Sequence, residues 1–383
     1  MKCQRQKFFL QRRNAYFNCA YMSPLMKKVE KAGIKGLKMK RNPVKVSVDD
    51  FFHESDQLRS AYSRLIENDD PNRVVIIPSV SYGLANVAHN LPFKDGEIIL
   101  AEEQFPSNVY PWMRLKEKGF AIKVVSPPQS GKRGENWNEK ILDAINSKTR
   151  VVAIGHIHWS DGTLFQLKNI REKLDEVGGL LVIDGTQSVG ALPFSVKEIR
   201  PDALVCAGYK WLMGPYSIGL AYYGSAFDGG APIEENWINR EGSDDFGNLV
   251  NYQEAYREQA LRYEVGEHSN FILVPMLHQA IKQLLRWSPE NIQQYTRDLM
   301  AGSITEMKAM GYSVEGEEWR ASHLFGIRLP SDVELSKVQQ SLKKHRVSVS
   351  VRGDSIRISP NIYNDEMDVR KLLKAMKEPI FAS

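Results

Sequence analysis

Three cysteines in 383 residues, Cys3, Cys19 and Cys206, are too few and too irregularly spaced for a disulfide framework or a zinc site. No apolar run approaches the roughly eighteen residues that a membrane-spanning helix requires. The amino terminus offers only Phe8-Phe9-Leu10 where a secretory signal needs a longer apolar core. A soluble protein of a reducing, cytoplasmic compartment is the expectation, with no metal and no membrane partner. A glycine-rich dinucleotide fingerprint is also missing: the apolar run Val74-Val75-Ile76-Ile77 leads into Pro78-Ser79-Val80-Ser81-Tyr82-Gly83. That sequence argues against a nicotinamide dehydrogenase. There is no internal repeat and no low-complexity segment.

Charge is present but uneven. The net charge is +5, and residues 1–46 hold thirteen Lys or Arg against the single acid Glu30. These basic residues alternate with apolar ones and no nucleic-acid-binding motif accompanies them, so a basic face, or a funnel for an anionic substrate and cofactor, is expected rather than a nucleic-acid partner.

The apolar pattern alternates between strand and helix. Helical spacing over residues 55–68 (Leu58, Tyr62, Leu65, Ile66), with Ser55 as N-cap, precedes the strand 74–77 and a helix from 84 to 91. Strands follow at 97–100, 120–125 and 150–154, with helices over 138–146 and 167–177. This order predicts an α/β fold with a mostly parallel sheet flanked by helices and right-handed crossovers. Past residue 270 come helices over 271–287 and 289–310, strands at 323–329, 347–351 and 355–359, and helices at 333–345 and 364–376. That is an α+β pattern. Residues 47–270 are read as the large domain, and residues 1–46 with 271–383 as a smaller domain carrying an N-terminal arm. The polar, irregular stretch 228–263 is long for a compact protein, which marks it as functional or as part of an interface.

The organising stretch is 180–224. The buried-strand run Leu180-Leu181-Val182-Ile183 ends on Asp184, and just past the run Ala203-Leu204-Val205-Cys206 stands Lys210, between Gly208 and Gly214-Pro215. If the two strands are parallel neighbours, both side chains emerge at the sheet edge where open α/β sheets bind ligands. An acid and a lysine facing one cleft suit pyridoxal 5'-phosphate (PLP): the lysine bonds to the cofactor's aldehyde carbon and the acid keeps the ring nitrogen protonated. The turn Ser79-Val80-Ser81-Tyr82-Gly83, leading from strand to helix, suits an anion such as the cofactor's phosphate.

The run DGTQSVG with GYKWLMGPYSIG, in which an Asp-x-x-Gln pair starts twenty-six residues before the lysine, resembles the class V branch of the fold-type I PLP enzymes. That branch includes aminotransferases, cysteine desulfurases, kynureninase and isopenicillin N epimerase. The resemblance implies that Lys210 is catalytic and that Asp184, Gln187, Ser81, Tyr82, Phe105 and Tyr209 bind the cofactor. Phe105 would stack on its ring, where desulfurases have a histidine. Trp159 stands where they have an asparagine for the ring hydroxyl, so that contact comes from Gln187 or is missing. Tyr209 stands in place of a phosphate-binding histidine, and Ala207 and Glu267 replace a serine and a threonine. Segment 16–24 resembles the arm that crosses the active-site mouth. Residues 355–365 match the Arg-x-Ser…Tyr-Asn signature whose arginine, Arg357 here, forks onto the substrate's α-carboxylate. His158 is placed beside the substrate. The family implies a homodimer with its site near the interface.

An amino-acid substrate follows from this resemblance, with chemistry at its α-carbon. Desulfurases carry a nucleophilic cysteine on the loop before the carboxylate arginine, and residues 345–357 contain none. An aminotransferase is expected. Kynureninase-like or other β-lyase cleavage and epimerisation stay open. A non-catalytic binding relative would have lost Lys210 or Asp184, and both are present.

Overall fold

A computed structural model describes residues 1–128, 132–353 and 355–381 of the chain. Its centre is a seven-stranded sheet. The strands are β1 (Val74–Ile77), β2 (Gly96–Ala101), β3 (Phe120–Val125), β4 (Thr149–Gly155), β5 (Leu180–Asp184), β6 (Ala203–Ala207) and β7 (Gly219–Tyr223), in the spatial order β1-β7-β6-β5-β4-β2-β3. Only β7 runs against its neighbours. The near-continuous apolar runs of β5 and β6 follow from burial on both faces. Leu181, Ile183, Leu204 and Cys206 enter one core, while Val182, Ala203, Val205 and Ala207 enter the other.

The helices that matter for the site are α1 (Lys27–Met39), α2 (His53–Leu65), α3 (Val80–His89), α4 (Leu273–Trp287) and α5 (Pro289–Ala309). Two of them, α1 and α4, lie in segments expected to belong to the smaller domain. Yet Val29 of α1 and Met276 and Leu277 of α4 share a core with Leu58 and Tyr62 of α2 and with the central sheet. Ser55 does not cap α2. That helix starts after Phe52 without a side-chain cap, and the buried Ser55 hydroxyl instead lies 3.1 Å from His268 Nδ1.

A third core collects Ala15, Phe17, Met300, Met307, Phe325, Ile356 and Ile358. Its sheet comprises β8 (Ser313–Val314), β9 (Phe325–Arg328), β10 (Ser350–Arg352) and β11 (Ser355–Ile358), antiparallel throughout in the order β10-β11-β9-β8. The single strand expected at 347–351 is two pieces: Val347–Ser348 pairs in parallel with Ala15–Tyr16 of the N-terminal arm, and Ser350–Arg352 joins β11. The polar stretch 228–263 forms short 3-10 turns and an isolated antiparallel bridge between Arg240 and Tyr256.

Candidate active site

Register sets the site. Gly155 is opposite Asp184, and Asp184 is opposite Val205, so the carboxyl ends of β4, β5 and β6 lie level. Lys210 follows β6 by three residues, in a turn where Gly208 N donates to Ile218 O at 2.9 Å and Gly214 N donates to Gly208 O at 2.8 Å. A side chain at 208 would put its Cβ 2.5 Å from Ile218 O, so glycine is needed for this close approach. The result is a cavity of about 350 Å³ over the sheet edge, lined by Asp184, Lys210, Gln187, Phe105, Tyr209 and Ser81 among others.

Electrostatics mark the two central groups. Burial raises the Asp184 carboxyl above its ordinary range, opposed by bonds from Thr186 and by the charge of Lys210. Thr186 N donates to Asp184 Oδ1 at 2.9 Å, and the Thr186 hydroxyl in turn accepts from the Ala207 amide. Lys210 is 7 % exposed. Its ammonium is pulled down to about 8 by burial, partly offset by Asp184 and reinforced by the positive charges of Arg357 and Arg352. Its Nζ lies 5.3 Å from the centre of the Phe105 ring and 5.6 Å from that of Tyr209.

The start of α3 forms the polar end of the cavity. Ser79 caps the helix by accepting from Tyr82 N at 3.2 Å, and the Ser81 hydroxyl bonds Ser107 Oγ at 3.0 Å. The first amides of any helix lack intrahelical partners, so three hydroxyls, Ser79, Ser81 and Ser107, accompany them here. The expected Tyr82 contact takes a different form. The Tyr82 phenol donates to Glu234 Oε2 at 2.9 Å, and its side chain is not part of the cavity wall. Tyr209 stays in the wall, packed at 4.6 Å against Tyr216.

Gln187 reaches the cavity with its amide already clamped: Nε2 donates to Ala20 O at 3.1 Å and Oε1 accepts from Trp211 Nε1 at 2.9 Å. The N-terminal arm is thereby tied to the site, as it is again where Ser23 N donates to Tyr209 O at 3.0 Å. Trp159 turns its indole away, donating to Glu103 O at 2.6 Å, while its ring meets the edge of Phe105 at 5.5 Å.

His158 is at the wall, but both ring nitrogens are engaged. Nε2 lies 3.2 Å from Glu102 O, and Nδ1 lies 3.0 Å from Ser160 Oγ and 3.3 Å from Asp161 Oδ1. Only its ring surface is left for a ligand. Arg357 is buried outside the immediate cavity lining. Its Nη1 donates to Trp159 O at 2.6 Å, Nη2 lies 3.5 Å from Ser350 Oγ, and among the described residues the buried Nε has no hydrogen-bond partner. Burial, reinforced by Arg352, lowers it to about 10, and its charge acts on Lys210.

Thr186, Ser79, Ser107, Tyr216 and Ser217 belong to the cavity without having been singled out beforehand. Ser79 was legible as an N-cap before a helix. Ser107 and Ser217 carried no local signal, because the fold alone brings them together. Cys19 also lies close by. It is fully buried, its sulfur accepts from Asn361 Nδ2 at 3.2 Å, and burial pushes its thiol up to about 11.

These residues fit the cofactor. A buried carboxylate and a buried, depressed lysine share one cavity, phenyl and phenol rings border the lysine, and hydroxyls at a helix start stand ready for a phosphate. Fold and site together define a PLP-dependent enzyme of fold-type I. The chain belongs to the class-V aminotransferase family, whose model matches residues 30–373. It is 26% identical over 314 residues to an uncharacterised aminotransferase of Bacillus subtilis, covering 82% of this chain and 80% of the relative. Two solved structures share its fold. One is the cysteine desulfurase of Thermococcus onnurineus, with a TM-score of 0.81 at 21% identity over 100% of this chain and 99% of that one. The other is the cystine C–S lyase C-DES, with a TM-score of 0.83 at 19% identity over 95% and 97%.

Proposed function

We propose that the protein is an aminotransferase acting on an amino acid through PLP. The observation that carries this reading is the cavity shared by Lys210 and Asp184, with Arg357 buried just outside its lining, where its charge acts on Lys210. The cofactor supplies an electrophilic aldehyde and an electron-withdrawing ring. Asp184 holds a proton on the ring nitrogen. Lys210, as a free amine, would take the proton from the substrate's α-carbon and return it elsewhere; with its value pulled down to about 8, roughly a tenth of it is neutral at pH 7, far more than of an ordinary lysine. Arg357 grips the α-carboxylate, for which its orphaned Nε and forked Nη groups are suited. Phe105 covers one face of the ring and keeps water out, and Ser79, Ser81 and Ser107 hold the phosphate with the amides of α3.

Persulfide chemistry is poorly supported. Cys19 and Cys206 are buried and burial raises both thiols, whereas a nucleophilic cysteine needs a lowered pKa and access. The relative in Bacillus subtilis supports transamination by its name. A panel of amino acids, each offered with a second oxo acid, tests the reading: matched formation of a new oxo acid and a new amino acid is expected. Release of ammonia or alanine would make the enzyme a lyase, and an inverted product would make it an epimerase. A homodimer, and a cytoplasmic setting that keeps its thiols reduced, complete the proposal.

A further inference from the structure

A second cavity, of about 960 Å³, opens beside the first and shares Gln104, Phe105 and Trp159 with it. Arg352, at the end of β10, faces this space and sits with its guanidinium 5.5 Å from the centre of the Trp159 ring. One tryptophan thus carries two arginines: Arg352 over its ring and Arg357 on its carbonyl oxygen. The acids in the second cavity are Glu102, Glu103 and Asp161. Asp161 is engaged by Arg133 at 2.6 Å and Arg328 at 3.8 Å, and Glu103 lies 4.0 Å from Arg133. Among the described residues no carboxylate forms an ion pair with Arg352, whose Nη1 reaches only the Val351 carbonyl oxygen, at 2.7 Å. Lys210, Arg352 and Arg357 are close enough to act on one another, and Asp184 is the acid that acts on Lys210.

Among the described residues, Arg133, Arg328 and Arg352 face Glu102, Glu103 and Asp161 across the second cavity, and Lys210, Arg352 and Arg357 act on one another near Asp184; Arg352 is the cation common to both groups, and it forms no ion pair with any of these acids. We infer that Arg352 binds a second anionic group on the substrate's side chain, so that the enzyme prefers amino acids carrying an additional carboxylate or phosphate. This rests on the proposed function, in which Arg357 takes the α-carboxylate. A planar guanidinium braced on an indole offers a fixed donor fork, suited to either anion. The second cavity gives the side chain room to reach it.

The test uses the holoenzyme and inert acids that cannot react. Calorimetric titration compares glutarate, its monocarboxylate counterpart valerate, and 4-phosphonobutyrate. The wild type is expected to bind glutarate at least about tenfold more tightly than valerate, the ratio given by one charge-assisted hydrogen bond. Arg352→Gln is expected to erase that advantage and leave valerate unchanged, while Arg352→Lys keeps part of it. Tighter binding of the phosphonate than of glutarate would identify the second group as a phosphate. No glutarate advantage in the wild type, or one that survives Arg352→Gln, overturns the inference. The parent reading is judged separately by Arg357→Gln. If that variant binds valerate as the wild type does, the α-carboxylate role falls, whatever Arg352 does.

Discussion

At the residue scale the account rests on what burial does to two charges. The Lys210 ammonium has an ordinary value of 10.5 and falls to about 8. In the cofactor-free protein the folded chain therefore holds fewer protons than the unfolded chain between about 8 and 10.5. Stability linked to this group rises with pH across that window and is lost below it. The same shift sets reactivity, since only the neutral amine attacks a carbonyl. Cofactor uptake by the apoprotein, followed by visible absorption over a pH series, is expected to accelerate through about pH 8. Acceleration delayed to the range of an exposed lysine would show that the group is not buried as described. Asp184 was legible because it ends an apolar run of strand length, and Lys210 because it stands just past a second such run, between Gly208 and Gly214-Pro215. Tyr82 was not. Its position at the helix start was right, but Glu234, distant in sequence, draws the phenol away. His158 lies at the wall, its Nδ1 engaged by the local Ser160 and Asp161 and its Nε2 by the Glu102 carbonyl, which is distant in sequence and which no local pattern announces.

At the element scale, strand runs were the clearest signal, because a strand buried on both faces is apolar at every position. β1 to β6 fell where these runs predicted them, while β7 (Gly219–Tyr223) was not read as a strand. Helix ends were less legible. Ser288 caps α5, its Oγ accepting from Asn291 N at 3.3 Å. Ser55 looked equivalent, yet tertiary packing gave its hydroxyl to His268. This difference is testable. Ser288→Ala should lower stability by about 1 kcal/mol, the usual worth of a capping side chain. Ser288→Gly should cost less, because Ser288 has φ 61 and glycine adopts that backbone freely. Urea denaturation of the two variants checks this. Equal losses would mean that the cap and the backbone conformation contribute nothing separable.

At the scale of the whole molecule, the site lies where two cores meet. Arg357 comes from the smaller sheet and Lys210 from the larger, while the N-terminal arm joins them through Ala15–Tyr16, Ala20 and Ser23. Residues 1–46 and 271–383 were read as the smaller domain; their helices α1 and α4 place Val29, Met276 and Leu277 in one core with Leu58 and Tyr62 of α2, contacts between segments far apart in sequence that no local pattern announces. The stretch 228–263 leaves Val250 79% and Tyr252 94% exposed beside the partly exposed Trp237 and Phe246. Apolar exposure of this kind marks an interaction surface. The proposed homodimer would cover it, so Val250→Asp combined with Tyr252→Asp should shift sedimentation toward the monomer; an unchanged dimer would place the interface elsewhere.

The central claim is that one lysine, Lys210, carries the cofactor opposite Asp184. Borohydride reduction of the holoenzyme fixes the cofactor to whichever lysine holds it, and peptide mass mapping then identifies that residue. The expected result is a single pyridoxyl modification on Lys210, absent from Lys210→Ala along with the visible absorption of the bound cofactor. Modification of a different lysine, or an unaltered spectrum in the variant, would contradict the account.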